Sequence, residues 1–160
     1  MTRQVQPVPD GYRTVTPYMI LSDATEALDF YNRAFGATLE HKITGPDGRS
    51  GHAEIRIGDS RIMLADEFPE MGCRSAKTLG GTPVMIHLYV ADVDEFCERA
   101  VAAGAKLIRP IADQFYGDRS GGLEDPFGNV WWVATHIEDV APDELARRAE
   151  QAMRQSGGDR

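Results

Sequence analysis

Short stretches of the chain alternate between apolar and polar residues, a pattern that predicts β-strands with one apolar face. The first stretch lies at residues 13–21, where Val15, Met19 and Leu21 share one parity. Since successive side chains of a strand point to opposite faces, these three residues are expected on one side. Pro17 has no N–H group, which favours an edge strand or a strand without a partner at that position.

A helix and three further strands are predicted in the rest of the first half. Serine and aspartate at residues 22–23 are typical of a helix start, apolar residues then recur at helical spacing, and Gly36 is a typical helix end. A strand is predicted near residues 37–43. Alternation on both sides of a turn at residues 58–59 predicts a hairpin. The first half therefore has the pattern of a strand–helix–three-strand module.

The second half repeats this order of elements. It contains a strand at residues 84–90, a helix that begins at Asp92 or Asp94 and ends at Gly104, a strand at 106–111, a Gly-rich segment at 117–124 and a strand at 130–136. The helix ends also match, with FGA at residues 35–37 and AGA at residues 103–105. Glycine after a helix is common, so chance similarity is an alternative, but the shared order favours an internal duplication.

These elements divide the chain into a polar N-terminal extension at residues 1–10, a two-module domain at 11–137 and a C-terminal tail at 138–160. The modules are placed at residues 11–66 and 82–137. The loop between them, at residues 67–81, is polar and contains glycines, which is typical of a linker or lid. The tail is predicted to form a charged helix at residues 142–153 and to fray at 155–160.

Composition narrows the classes of function. The 160 residues include 17 Lys and Arg against 25 Asp and Glu, and the resulting net charge of −8 repels nucleic-acid phosphates. No apolar run is long enough to cross a bilayer, and residues 1–10 lack the apolar segment of a signal peptide. Cys73 and Cys97 do not make a disulfide framework and are interpreted as reduced thiols. We therefore expect a cytoplasmic protein that binds neither nucleic acid nor membrane.

The polar sides of the predicted strands form a face with an unusual composition. This face is predicted to carry Thr14, Thr16, Tyr18, His52, Glu54, Arg56, Arg61, Met63, Met85, His87, Tyr89, Val130, Trp132 and Ala134. A solvated face rarely contains so many Trp, Tyr and Met side chains, whereas ligand pockets commonly combine an apolar lining with a few polar groups. The composition favours a binding pocket; a face that is half covered or buried in a dimer is the alternative.

Several motifs resemble those of one known family. They are DATEALDFY at residues 23–31, RAFGA at 33–37, GHAEIRIGDSRIMLAD at 51–66, IHLYVADVD at 86–94 and GDRSGGLEDPFGNVWWV at 117–133. In this order they resemble the vicinal oxygen chelate superfamily, which includes glyoxalase I, bleomycin resistance proteins and extradiol dioxygenases, and more narrowly its PhnB-like branch. The resemblance covers about residues 11–137.

The resemblance implies an α+β fold in which two β-α-β-β-β modules form a curved mixed sheet around a cleft, often in a homodimer. In metal-using relatives, four strands each supply one His, Gln or Glu ligand to a divalent ion. The corresponding positions in this chain are Thr16, Met63, Met85 and Trp132. Hydroxyl, thioether and indole groups are poor ligands for such an ion, so we expect no cofactor.

Three polar residues of the predicted face are candidates for catalysis. His87 can act as a general base or orient a ligand near neutral pH, or it can be a structural histidine beside Tyr89. His52 and Glu54 share a side and can pair with each other. Together with His87 they can also form a non-standard site for a divalent metal such as Zn, Fe, Mn or Ni. A plain polar lining is the alternative.

Other residues of the face are candidates for ligand binding. Arg56 and Arg61 can clamp a carboxylate or phosphate, or form a cross-strand ion pair with Glu54. Aromatic rings of the face can stack on a flat ligand, or pack in a core or interface. The predicted ligand-binding set is Thr16, Tyr18, Arg56, Arg61, Met63, Met85, Tyr89 and Trp132.

Three functions are compatible with these observations. The leading hypothesis is a homodimeric small-molecule binding protein of the bleomycin-resistance type without the superfamily's usual metal site, whose negative charge would attract cationic ligands. The second is a metal-dependent lyase, isomerase or dioxygenase that uses His52, Glu54 and His87. The third is a dimeric interaction module whose cleft is filled by its own side chains.

Overall fold

Two four-stranded sheets, four α-helices and one 3₁₀ helix make up residues 5–157, which are the residues that the computed structural model describes. In chain order the elements are β1 (Tyr18–Leu21), α1 (Ala24–Phe35), β2 (Thr38–Thr44), β3 (Ser50–Ile57), β4 (Ser60–Asp66), the 3₁₀ helix (Pro69–Met71), α2 (Ala76–Leu79), β5 (Met85–Tyr89), α3 (Val93–Ala103), β6 (Lys106–Asp113), β7 (Asp118–Glu124), β8 (Val130–His136) and α4 (Pro142–Gly157). The predictions for residues 1–4 and 158–160 lie outside the described residues. The α+β class with two β-α-β-β-β modules is confirmed.

Both sheets have the same strand order, β1-β4-β3-β2 in the first module and β5-β8-β7-β6 in the second. Each contains one parallel pair, β1 with β4 or β5 with β8, and two antiparallel pairs. The identical order supports the internal duplication inferred from the sequence. β1 and β5 each lie at the end of a sheet, so each has one edge without a strand partner in the described part of the chain.

The predicted helix starts agree with the observed caps. The Asp23 carboxylate accepts a hydrogen bond from the N–H of the third residue of α1 at 2.8 Å, and Asp92 does the same in α3 at 3.0 Å. Asp92 rather than Asp94 therefore caps α3. Gly36 ends α1 with φ 66°, a left-handed conformation that glycine adopts without strain.

The apolar side of each sheet packs against the helix of its own module, and α1 and α3 pack against each other. The rings of Phe35 on α1 and Phe96 on α3 stack with their centroids 5.3 Å apart. The buried strand residues Ala53, Ile55, Ile62 and Leu64 in the first sheet, and Trp131 and Val133 in the second, fall on the predicted alternate positions. Leu123 of β7, where only a Gly-rich segment was predicted, is buried as well. The predicted strand polarity is thus confirmed, and the two modules share one core.

The first strand is shorter than predicted. β1 begins at Tyr18 rather than at residue 13, although the Pro17 carbonyl still accepts a hydrogen bond from the Met63 N–H at 2.9 Å. Before it, the Thr16 hydroxyl donates to the Arg13 carbonyl at 3.3 Å. This local bond and the missing N–H of Pro17 prevent strand pairing further upstream, so Thr16 does not lie in a strand.

The connection at residues 67–81 is more ordered than a simple linker. It contains the 3₁₀ helix and α2, and the Ser75 hydroxyl caps α2 by accepting a hydrogen bond from the Thr78 N–H at 3.2 Å. Phe68 and Cys73 pair as an isolated antiparallel bridge. The connection that the sequence predicts as a linker or lid thus contains two short helical elements.

Three elements of the second half and the tail differ in extent from the prediction. β6 continues to Asp113, the Gly-rich segment forms β7, and α4 continues to Gly157. Among residues 5–157, no helix is both long enough and apolar enough to span a membrane.

Candidate functional site

Each sheet has an open side opposite its helix. Large side chains on these sides are strongly exposed: 49% for Tyr18, 62% for Met85 and 66% for Tyr89. We call the open side of the first sheet the first face; it carries Tyr18, His52, Glu54, Arg56, Arg61 and Met63. We call the open side of the second sheet the second face; it carries Met85, His87, Tyr89, Arg109, Asp118 and Trp132.

A chain of hydrogen bonds crosses the first face. The Tyr12 hydroxyl donates to Oε2 of Glu54, whose Oε1 lies 2.9 Å from Nε2 of His52. Nδ1 of His52 in turn lies 3.0 Å from the Tyr18 hydroxyl. The predicted pairing of His52 with Glu54 is therefore present, and a tyrosine stands at each end of the pair.

The charge of Glu54 sets the direction of this chain. The hydrogen bond from Tyr12, and after it that from His52, lower the pKa of the Glu54 carboxyl, so the group is ionised near neutral pH and can only accept. Nε2 of a neutral His52 must then carry the proton, which leaves Nδ1 to accept from Tyr18. This arrangement orients the imidazole toward the Tyr18 hydroxyl, and burial raises the pKa of Tyr18, so the hydroxyl stays protonated near neutral pH.

The two arginines of the first face bind a carboxylate that the sequence did not single out. Nε of Arg56 and Nη2 of Arg61 each lie 2.9 Å from a carboxylate oxygen of Glu40. The Arg61 guanidinium also lies over the Tyr12 ring, 4.7 Å from its centroid. The predicted cross-strand pair with Glu54 was therefore wrong. Both arginines are engaged with Glu40 rather than free to clamp an anion.

The second face is polar at one end. The Tyr89 hydroxyl donates to Oδ2 of the buried Asp118 at 2.9 Å, while Oδ1 of Asp118 lies 2.7 Å from Nδ1 of His136. Nε2 of His136 lies 3.0 Å from Asp139. The His87 ring lies 4.7 Å from that of Tyr89, and His87 pairs with Trp132 in the strand register.

This arrangement predicts a pH-dependent stability. The Asp118 carboxylate, and after it that of Asp139, raise the pKa of His136 above its usual value. A histidine whose pKa is higher in the folded state stabilises the fold fully at pH values below its unfolded pKa of about 6.5. This contribution to the free energy of unfolding is lost as the pH rises through the folded pKa. We expect His136→Gln to lower the free energy of unfolding most near pH 5.5 (about one unit below that value) and progressively less at alkaline pH. Urea unfolding over this range measures the difference, and a gap that does not change with pH would contradict the assignment.

The three catalytic candidates do not come together within one chain. His52 and Glu54 lie on the first face, whereas His87 lies on the second. Within residues 5–157, no three His, Cys, Asp or Glu side chains are close enough to hold a metal ion. His52, Glu54 and His87 therefore do not form a metal site within one copy of the described chain, because β3 and β5 belong to different sheets.

The positions that the resemblance relates to metal ligands do not fit a divalent ion either. Thr16 precedes β1, Met63 lies on the first face, and Met85 and Trp132 lie on the second. A thioether is a soft ligand, and an indole N–H can only donate a hydrogen bond. At these positions the chain therefore has one hydroxyl oxygen, that of Thr16, and none of the His, Gln or Glu side chains that such a site uses.

Surface cavities lie where the two modules meet. One, of about 660 Å³, runs between the β3–β4 turn and the end of β5, and its lining includes Ile57, Tyr89 and Arg99. A smaller one, of about 170 Å³, brings together Thr16, Arg61 and His87. Three of the predicted site residues from three different segments thus line one cavity.

A protein-family model identifies the family of the chain. The model of the Glyoxalase/Bleomycin resistance protein/Dioxygenase superfamily matches residues 14–133. The chain belongs to this superfamily. The family predicted from the motifs is confirmed, and α4 of this superfamily member lies beyond the matched residues.

Similar proteins support this assignment. The uncharacterized protein Mb0911c of Mycobacterium bovis is 41% identical over 148 residues, which cover 91% of this superfamily member and 94% of the relative. The crystal structure of TioX from Micromonospora sp. ML1 is 27% identical with a TM-score of 0.63, covering 78% of this chain and 99% of TioX. A PhnB protein from Bacillus cereus, 15% identical, shares the fold with a TM-score of 0.59 over 77% of this chain and 99% of its own.

Proposed function

We propose that the protein binds a small, flat molecule and does so without the superfamily's usual metal site. The exposed aromatic and thioether side chains of the two faces carry this proposal. Tyr18, Met85 and Tyr89 are about half exposed or more, although the core on the other side of each sheet is complete. Such side chains around a few polar groups are the usual lining of a ligand site.

We infer that two copies of the chain form the site together. Each face can line a ligand site on one side only, and β1 and β5 each have one edge without a strand partner in the described residues. A second copy can cover a face and an edge, and most soluble oligomers are symmetric assemblies of one chain. Sedimentation is expected to give a mass of twice 17.6 kDa. A mass of one chain would contradict the dimer.

A ligand screen tests the binding function. We expect at least one compound of a panel of planar antibiotics and metabolites to raise the melting temperature of the wild type. Trp132→Ala should lose most of this shift, because the indole is the largest ring on the second face. Met153→Ala, which truncates an exposed side chain of α4, is the control and should keep the shift. If no compound of a broad panel raised the melting temperature, the proposed binding function would be contradicted.

Metal independence has a separate test. We expect protein purified without chelator to contain no stoichiometric Zn, Fe, Mn or Ni, and ligand binding to survive EDTA. A stoichiometric ion that is lost on His87→Ala would instead favour a metal-dependent lyase, isomerase or dioxygenase.

The Tyr12–Glu54–His52–Tyr18 chain favours a second candidate function, that of a lyase or isomerase. An ionised carboxylate that orients an imidazole is a typical acid–base arrangement. A ligand found in the screen would then be converted by the wild type. His52→Asn would still bind it but would not convert it. Unchanged ligand after prolonged incubation with the wild type would contradict catalysis on that compound.

A further inference from the structure

Arg109 on β6 and Trp132 on β8 meet across Gly122 of β7. The strand register places Arg109 opposite Gly122 and Gly122 opposite Trp132, with His87 on the far side of the indole. A Cβ atom on Gly122 would lie 3.1 Å from Cβ and Cγ of Arg109 and 3.1 Å from Cζ3 of Trp132. Because glycine has no side chain, the aliphatic part of Arg109 and the edge of the Trp132 indole both lie over its backbone and fill the space that a Cβ atom would take. The two side chains are therefore neighbours on the second face, and we call them the Arg109–Trp132 patch.

Arg109 differs from other arginines on the sheets. Arg56 and Arg61 bind Glu40, and Arg119 binds a carboxylate oxygen of Asp94 at 2.7 Å. The side chain of the exposed Arg109 has no hydrogen bond or ion pair with any other residue between positions 5 and 157. Its guanidinium therefore keeps all of its donors for a ligand.

Carboxylates of the same sheet have other partners. Glu124 lies opposite Lys106 in the register, with their charged atoms 3.9 Å apart. Asp118 is buried and is held by Tyr89 and His136. The charge of Arg109 is thus locally uncompensated, even though the whole chain has a net charge of −8.

We propose that the Arg109–Trp132 patch binds a planar aromatic carboxylate. The aromatic ring of the ligand lies against the Trp132 indole, and its carboxylate accepts two hydrogen bonds from the Arg109 guanidinium, a pairing that matches both planar groups. This inference rests on the proposed binding function and names its ligand class. An anionic ligand differs from the cationic ligand expected from the net charge of the whole chain. The reason is that the charge beside the Trp132 ring is the unpaired positive charge of Arg109, which attracts an anion.

Calorimetric titration of the full chain with 2-naphthoate and its neutral analogue 2-naphthamide tests the Arg109–Trp132 patch. The wild type should bind 2-naphthoate about 10-fold more tightly than 2-naphthamide, or better, since a hydrogen bond to a charged group is strong. Arg109→Gln should weaken 2-naphthoate binding by the same factor and leave 2-naphthamide binding unchanged. Trp132→Ala should weaken both.

Arg33→Gln is the matched control, because it removes the same charge from the exposed surface of α1. It should bind both probes as the wild type does. Equal wild-type affinity for the two probes, or full 2-naphthoate binding by Arg109→Gln, overturns the inference. If 2-naphthoate binding depends on Trp132 but not on Arg109, the inference about the ligand class is wrong while the proposed binding function still stands. The proposed binding function itself is contradicted only if the broad ligand screen finds no ligand. No wild-type binding of 2-naphthoate also overturns the inference. A lower sedimentation mass of Arg109→Gln overturns it too, because Arg109 would then bind a second copy.

Discussion

Replacing Asp125 with alanine is expected to lower the free energy of unfolding by about 3–5 kcal/mol, the range for breaking a buried charged network. Oδ2 of Asp125 accepts hydrogen bonds from the Tyr31 hydroxyl at 2.7 Å and the Trp131 indole N–H at 2.9 Å. Oδ1 accepts from the backbone N–H groups of Phe127 and Asn129, both at 2.9 Å. Since Asp125 is only 3% exposed, its loss leaves these donors buried without a partner.

Urea unfolding followed by circular dichroism measures this loss. Tyr31→Phe removes one of the donors and keeps the carboxylate, so it should cost about 1 kcal/mol. Asp59→Ala, at the exposed β3–β4 turn, should stay within about 0.5 kcal/mol of the wild type. An Asp125→Ala variant as stable as Asp59→Ala would show that the carboxylate does not hold the two modules together.

The strand polarity could be predicted from the sequence because it depends only on alternation. Trp131 and Trp132 are neighbours in the chain, yet Trp131 is fully buried and Trp132 lies on the second face. The bond between Tyr31 and Asp125 could not be predicted, because it joins side chains 94 residues apart. A local pattern indicates which side a residue faces but not which distant residue it meets.

Irregular strand pairing explains why parts of the candidate site were missed. The register shifts between Leu39 and His41, which places Glu40 within reach of both arginines of the first face. β6 has register shifts on both sides of Arg109, so counting alternate positions along β6 does not assign Arg109 to a face. Tyr12 precedes every predicted strand, and no local signal connects it with Glu54.

The tail was predicted as a helix from its composition, but its attachment depends on Gly117. The Gly117 carbonyl accepts hydrogen bonds from the N–H groups of Ile137 and Glu138 at 2.9 and 3.0 Å. The Glu138 carboxylate then pairs with Arg148 of α4 at 2.7 Å. One turn between β6 and β7 thus fixes the segment that leads from β8 to α4.

Gly117→Ala is therefore expected to lower the free energy of unfolding by about 2–5 kcal/mol, the sum of a left-handed backbone cost and local overpacking. Gly117 has φ 96°, and a Cβ atom there would overlap the carbonyl oxygen of Glu138. The segment that follows β8 must move away, and the pair between Glu138 and Arg148 should break. Urea unfolding measures the stability, and the rate of tryptic cleavage within α4 measures the release of the tail.

Gly48→Ala separates the two causes of this loss. Gly48 also has a left-handed backbone, with φ 83°, but a Cβ atom there would meet nothing within 4 Å. It should therefore cost only about 1–2 kcal/mol and leave the cleavage of α4 unchanged. If Gly117→Ala cost no more than Gly48→Ala and did not speed cleavage, backbone conformation alone would account for the glycine. The close approach of Glu138 would then not be what fixes the tail.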